Sequence, residues 1–232
     1  MVKEIIISVM QPYFFPYLGY WQLINESDKF IFFDDVSYIN KGYIDRNYII
    51  YGGKPSRIKL ELSKASQNKL ISEINIGNNK LKILHQIDLA YRNSPQYENF
   101  MPIITDVMKN NEKNLARFLG YSIEKIAEYL EIKTKFLYSS NFDTGKSGKN
   151  KIKDLTLLNN GNIYLNMIGG KFLYIQEDFN NSNIQLMFLK YRVVKYPQKT
   201  EEFDPYVSIL DLCFNLSINR INELNILKGN IQ

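Results

Sequence analysis

Two carboxylates stand side by side at Asp34 and Asp35, straight after the apolar run at residues 29–33. Adjacent carboxylates repel one another, which raises one pKa and is one route to a general base near neutral pH. Neighbouring side chains on an extended chain point to opposite sides. One Asp therefore enters a crevice while the other caps a turn or pairs with Arg46; a plain turn-forming pair is the structural alternative. Lys41, Arg46 and Asn47 follow within a dozen residues. An arginine clamps a phosphate or carboxylate bidentately, or here it holds the loop through Asp35. His85, the only histidine, carries Asp88 at i+3 and Arg92 at i+7 on the same helical face. It is either a general base for an amine proton near neutral pH or a satisfied core histidine.

Gln11 brings a donor and an acceptor into an otherwise apolar stretch. Buried without a partner it would cost about 1–3 kcal/mol, so backbone or ligand must satisfy it. Gly169-Gly170 provides either a turn or two bare N–H positions for a phosphate or oxyanion. Around Gln11 lie Tyr13, Phe14, Phe15, Tyr17, Tyr20 and Trp21. Aromatic faces suit sugar rings and bases, while core packing is their default. The expectation is both: Phe14, Phe15 and Trp21 pack, and Gln11, Tyr13 and Tyr20 reach the crevice. One histidine and one cysteine make no metal cluster. Cys213, in the apolar "ILDLCFNL", reads as a buried thiol. "GKSGKNK" (145–151) lacks P-loop spacing and an obvious strand and helix around it. Its lysines, with Lys153, read as a solvated loop opening a helix, or else as a phosphate-facing loop.

These groups need elements to position them. Residues 5–10 form an unbroken, β-branched apolar run, the mark of a strand buried on both faces. Pro12 and Pro16 interrupt regular structure. A short helix from Gly19 and a strand at 29–33 complete a βαβ unit, implying a parallel sheet and a right-handed crossover. Short strands with turns fill 38–76. Helices are predicted at 81–92, 102–109, 114–130, 151–158, 208–216 and 219–228, strands at 134–137, 163–165 and 185–190, and a glycine turn into a helix at 167–175. The whole is an α/β, Rossmann-like single domain over 1–232 with a mostly helical C-terminal part. Ligands of such sheets bind beyond the carboxyl ends of the strands, which places Gln11 and the Asp pair over a common crevice.

With 45% hydrophobic and 14% aromatic residues the chain can build a core. No apolar run reaches bilayer length, and the N-terminal stretch reads as strand and loop, not a secretory leader. The lone cysteine suits a reducing cytosol. A net charge of +5, carried by scattered lysines and arginines, permits attraction to phosphates without demanding DNA or RNA.

"QPYFFPYLGYWQLINESDKFIFFDDVSYINKGYIDRNYI" resembles the opening of the WbqC-like protein family, through Gln11-Pro12, Pro16, Gly19-Tyr20, Asp34-Asp35-Val36 and Arg46-Asn47. "HQIDLAYRNSPQYENF", "NIYLNMIGGKFLYIQEDFNNSNIQLMF" and "FDPYVSILDLCFNLS" resemble its His-led helix, glycine turn and C-terminal helix, so the likeness covers nearly the whole chain. The resemblance implies a bacterial O-antigen or related surface-polysaccharide protein. The implied activity is aminoacyl (glycyl) transfer to the amine of a nucleotide-linked deoxyamino sugar. The activated donor would be a charged tRNA, a carrier protein or an adenylate, with no cofactor. His85 gains weight as a base beside Asp34; Gln11, Tyr13, Tyr20, Asp35, Lys41, Arg46, Asn47, Gly169 and Gly170 would bind substrate. A second, weaker likeness is to HxGH nucleotidylyltransferases, but Tyr17-Leu18-Gly19-Tyr20 stands where those enzymes carry histidines. A non-catalytic nucleotide-sugar or glycan-binding protein is the alternative, with a nucleotidylyltransferase-like enzyme as a third possibility.

Overall fold

The computed structural model describes residues 3–232. The apolar run of residues Ile6–Met10 is strand β1, and β2 (Lys29–Phe32) follows across helix α1 (Leu18–Asn25). The two strands pair in parallel with Met10 opposite Phe32, so they end level. The hairpin β3 (Arg46–Tyr51) and β4 (Lys54–Lys59) comes next. Gly52 and Gly53 close it at φ +60° and +79°, the two left-handed positions a tight hairpin turn requires. The small ladder β5 (Leu62–Ser63) and β6 (Asn75–Ile76) leads to helices α2 (Lys80–Tyr91), α3 (Tyr97–Lys109) and α4 (Leu115–Tyr129). Strand β7 (Lys135–Tyr138), helix α5 (Gly148–Leu158), and strands β8 (Ile163–Met167) and β9 (Gln185–Lys190) return the chain to the sheet. Helices α6 (Ile209–Asn215) and α7 (Ile218–Glu223) precede a last strand, β10 (Asn230–Ile231).

The main sheet runs β10-β9-β8-β1-β2-β7, parallel except for β10 at one edge. From β1 the chain moves outward through β2 to β7, then returns to the other side of β1 for β8 and β9. The reversal falls between β1 and β8, where a doubly wound sheet opens its ligand crevice. Both faces are covered. Phe30, Phe32, Leu165 and Leu189 join the large cluster with α1, α3, α4 and α6. Ile7, Val9, Ile31 and Tyr164 join Ile152 and Leu155 of α5 on the other face. Alternation within strands that look uniformly apolar is the period-two pleat at work.

Four local expectations are corrected. Residues 167–175 do not enter a helix: the chain makes only a 3₁₀ turn at Ile168–Phe172. Helix α3 begins ahead of Pro102, at Tyr97, because Phe100 and Ile104 are buried as one apolar face and packing overrides the proline. The tail helix stops at Glu223 and gives way to β10. The "GKSGKNK" stretch does lie between a strand and a helix, since α5 starts inside it at Gly148.

Candidate functional site

The carboxyl ends of β1 and β2 meet as expected, with Phe33 N–H donating to Met10 C=O at 2.9 Å, and β7 ends beside β2. Asp34 and Asp35 then divide their roles. Asp34 is completely buried. Its Oδ1 accepts from Ser140 N–H at 2.9 Å and its Oδ2 from Ser140 Oγ at 2.7 Å, while its own N–H donates to Ser139 Oγ at 3.1 Å. It thus welds β2 to β7, and its oxygens face protein, not a crevice. Ser139 Oγ lies 3.1 Å from Asp34 Oδ1 but 2.5 Å from Asp35 Oδ1. A hydroxyl has one proton, and the shorter contact takes it. Asp35 also pairs with Lys151 Nζ, both side chains being largely buried. Asp35, Ser140, Lys146 and Lys151 line a cavity of about 500 Å³.

Lys151 belongs to the first turn of α5, as does Lys149. Cations are disfavoured at that end of a helix dipole. Carboxylates compensate them: Lys149 meets Asp178 at 2.5 Å, Lys146 meets Asp154 at 2.8 Å, and Lys151 meets Asp35. The lysine run is therefore a salt-bridged helix start beside the cavity.

A cluster of tyrosines gathers around the start of α1. Tyr17 is the N-cap residue of α1. Its ring lies 5.5 Å from Tyr191, just past β9, and 5.9 Å from Tyr206. Tyr13 lies 5.4 Å from Tyr20 and 6.1 Å from Tyr43. Burial pushes the Tyr17 phenol up to about 12, with help from Tyr13, Tyr206 and Tyr43, so it stays neutral. Burial raises Tyr13 and Tyr191 as well. A neutral tyrosine wall can stack on a ring and donate hydrogen bonds, but it cannot replace the charge of imidazolium on a triphosphate. Gly19 exists to admit this wall: a Cβ there would sit 2.5 Å from the Tyr17 ring and 3.1 Å from Tyr191.

Gln11 is half-buried, and its side-chain amide makes no hydrogen bond among the described residues. Tyr20, expected at the crevice, is fully buried; its hydroxyl donates to Gln11 C=O at 2.9 Å and fixes the loop from within. Phe14, Phe15 and Trp21 are buried as expected. Phe15 has φ +44°, a strained state for a bulky residue. Asn47 holds it there, its Nδ2 donating to Phe15 C=O at 2.7 Å and Phe14 C=O at 3.2 Å. Asn47 is buried and positions the loop. Arg46 pairs not with Asp35 but with its neighbour Asp45, at 2.7 Å and 3.0 Å. Lys41 is exposed, at φ +66°. Gly169 is exposed with open space around its Cα, while Gly170 is buried under Asn166. His85 is exposed on α2, whose Asp88 is engaged instead by Arg92 at 2.8 Å and the Tyr97 hydroxyl at 2.6 Å.

Sequence reasoning missed Tyr17, Tyr43, Tyr191 and Tyr206 as one wall, and Ser139, Ser140 and Lys151 as partners of the Asp pair. Only Gly19 between two tyrosines hinted at the wall. Cys213 is buried, and burial raises its thiol pKa, so it is an inert packing group. No group of three or more His, Cys, Asp or Glu residues is placed to hold a metal among the described residues. Nor, among those residues, is any helix long and apolar enough to cross a membrane.

Fold and site define a doubly wound α/β protein with a polar cavity at the ends of β2 and β7 and a separate tyrosine cluster at the start of α1. The chain belongs to the WbqC-like protein family, whose model matches residues 11–223. It is similar to the uncharacterized protein Rv1507c of Mycobacterium tuberculosis, 21% identical over 215 residues, covering 90% of this chain and 93% of that protein. No solved structure matches.

Proposed function

We propose that the chain serves bacterial surface-polysaccharide synthesis, transferring an aminoacyl group, glycyl foremost, to the amine of a nucleotide-linked deoxyamino sugar. Such acceptors place the reaction in the cytoplasm. The observation that carries the reading is Asp35, held between a serine hydroxyl and a lysine at the mouth of a cavity over the strand ends. Asp35 takes the base role that the sequence offered to Asp34 or His85. The amine lone pair attacks the activated carbonyl carbon and forms a tetrahedral oxyanion. A proton passes from the nitrogen to the Asp35 carboxylate, the bond to the donor's leaving group breaks, and the amide remains. Lys151 and the open backbone at Gly169 supply positive potential for the oxyanion. Tyr13, Tyr17 and the unbonded Gln11 amide receive the sugar or base. The activated donor is a charged tRNA, a carrier protein or an adenylate.

The test is Asp35→Asn with a nucleotide-linked amino sugar and an activated glycine, product being read by mass spectrometry. Turnover falls by about a hundredfold or more, the scale of general-base loss, while acceptor affinity stays within a few-fold in a thermal-shift titration. His85→Ala is the companion. Loss of turnover there, with Asp35→Asn active, returns the base role to the histidine and ends the Asp35 reading. A second reading, a non-catalytic nucleotide-sugar-binding protein, draws on one observation: both carboxylates at the strand ends are already partnered. It predicts acceptor binding with no product from any donor.

A further inference from the structure

The turn after β8 carries the most exposed large apolar side chains among the described residues. Phe172 is 95% exposed, Leu173 71% and Ile175 55%, within four residues. This is not a loose loop that failed to pack. Between them Tyr174 turns inward, its ring 5.6 Å from Tyr164 and 6.2 Å from Phe179 in a filled core cluster. Leu173 and Tyr174 N–H groups donate to Gly170 C=O at 2.8 and 3.1 Å. Asp178 accepts from Ile175 N–H and grips Lys149 of α5 at 2.5 Å. The turn is anchored on both sides, and the three apolar side chains stand out from it.

Exposed apolar area of this kind, concentrated at one point, marks an interaction site. Lysines outnumber free carboxylates around it: Glu177 is exposed two residues past Ile175, while Asp178 is engaged by Lys149. Lys171 lies within the turn and its ammonium sits over the Phe188 ring at 5.4 Å. Lys190 ends β9 beside the end of β8, where Met167 pairs with Leu189, and it is exposed. A protein partner would need a receiving surface shaped to three separate protruding side chains. A lipid headgroup layer flows around such a protrusion and meets the lysines with its phosphates.

We propose that this turn is a peripheral membrane-docking tip, inserting Phe172, Leu173 and Ile175 into an anionic lipid surface against which Lys171 and Lys190 lie. The docking goes beyond the transfer reaction and does not depend on which group is transferred. It sets the carboxyl ends of the strands, and the crevice with them, toward the bilayer.

Co-sedimentation with vesicles of mixed phosphatidylglycerol and phosphatidylcholine tests it, with pure phosphatidylcholine as comparison. The intact chain binds the anionic vesicles about tenfold or more tighter than the neutral ones. The double variant Phe172→Asp, Leu173→Asp loses about tenfold or more on the anionic vesicles. Both side chains are exposed, so its melting temperature stays unchanged. Lys171→Glu with Lys190→Glu weakens anionic binding by about fivefold per lysine and removes its salt dependence. In a Phe172→Trp variant, read against Trp21→Phe in the same chain, the new indole emission moves to the blue on anionic vesicles alone. Absence of vesicle binding, or equal binding by the Asp double variant, overturns the proposal. Self-association in vesicle-free sedimentation that the double variant abolishes also overturns it, and assigns the tip to a contact between copies of the chain.

Discussion

Asp34, at the ends of β2 and β7, and Asp211, in α6, are both carboxylates removed from water, with 0% and 1% exposure. They are held in opposite ways. Asp34 receives a backbone N–H and a serine hydroxyl, one on each oxygen. Asp211 receives the Tyr91 hydroxyl on Oδ1 at 3.2 Å, while its Oδ2 has no partner of hydrogen-bonding geometry. Tyr196 and Gln198 close on the carboxyl and Lys199 adds a distant positive charge, yet burial outweighs them and lifts Asp211 to about 6. Burial alone therefore does not decide what a carboxylate does; how donors are shared between its two oxygens does. One region commits its donors to architecture, and the other holds a carboxyl that keeps its proton up to about pH 6.

Removing Asp34 should have the larger effect. Asp34→Ala leaves the Ser140 donors without their acceptors and removes the side-chain tie just beyond the β2–β7 ladder. The expected loss is about 3 kcal/mol, the scale of hydrogen bonds to a charged group, read from urea unfolding at neutral pH. An unchanged midpoint would erase the distinction drawn here. Asp211→Asn should move the other way. The folded state holds the Asp211 proton up to about 6, whereas an unfolded aspartate releases it at 3.8. Between those values the native chain binds more protons, so this contribution is complete below 3.8 and is lost as pH rises through 6. The neutral amide escapes that loss. At pH 7 the variant gains up to about 3 kcal/mol, and its stability is flatter than that of the parent between pH 4 and 6. Parallel pH profiles for the two chains would show that Asp211 does not carry the raised pKa.

The contrast between these regions also measures what the sequence could tell. The βαβ opening, the level ends of β1 and β2 and the helices α2 and α4 follow from apolar periodicity, which is local. The sorting of Asp34 from Asp35 is not local, because Ser139 and Ser140 lie more than a hundred residues away. The tyrosine wall joins Tyr17 to Tyr191 across the whole domain. Arg46 pairs with its chain neighbour Asp45 and not with Asp35, although alternation sends adjacent side chains to opposite sides of an extended chain. A long guanidinium stem folds back across that alternation, and Asp45 lies just ahead of β3 where the pleat has not begun. Periodicity finds faces; it does not find which donor closes on which acceptor.

The same lesson holds at the smallest scale in Gly169 and Gly170, which the sequence offered as an equivalent pair. A Cβ on Gly169 meets nothing within 4 Å, and one on Gly170 would sit 2.5 Å from Asn166 Nδ2. The Asn166 side chain is already committed, its Oδ1 accepting from Met167 N–H at 2.8 Å at the end of β8. Gly170→Ala must therefore push the amide aside or break that bond, costing about 1–3 kcal/mol by overpacking. Gly169→Ala should change stability by no more than about 0.5 kcal/mol, as surface substitutions do. Thermal unfolding of the two single variants separates them. If Gly169→Ala nonetheless lowers turnover while melting like the parent, the backbone at that position touches the reacting group, which a purely structural turn would not.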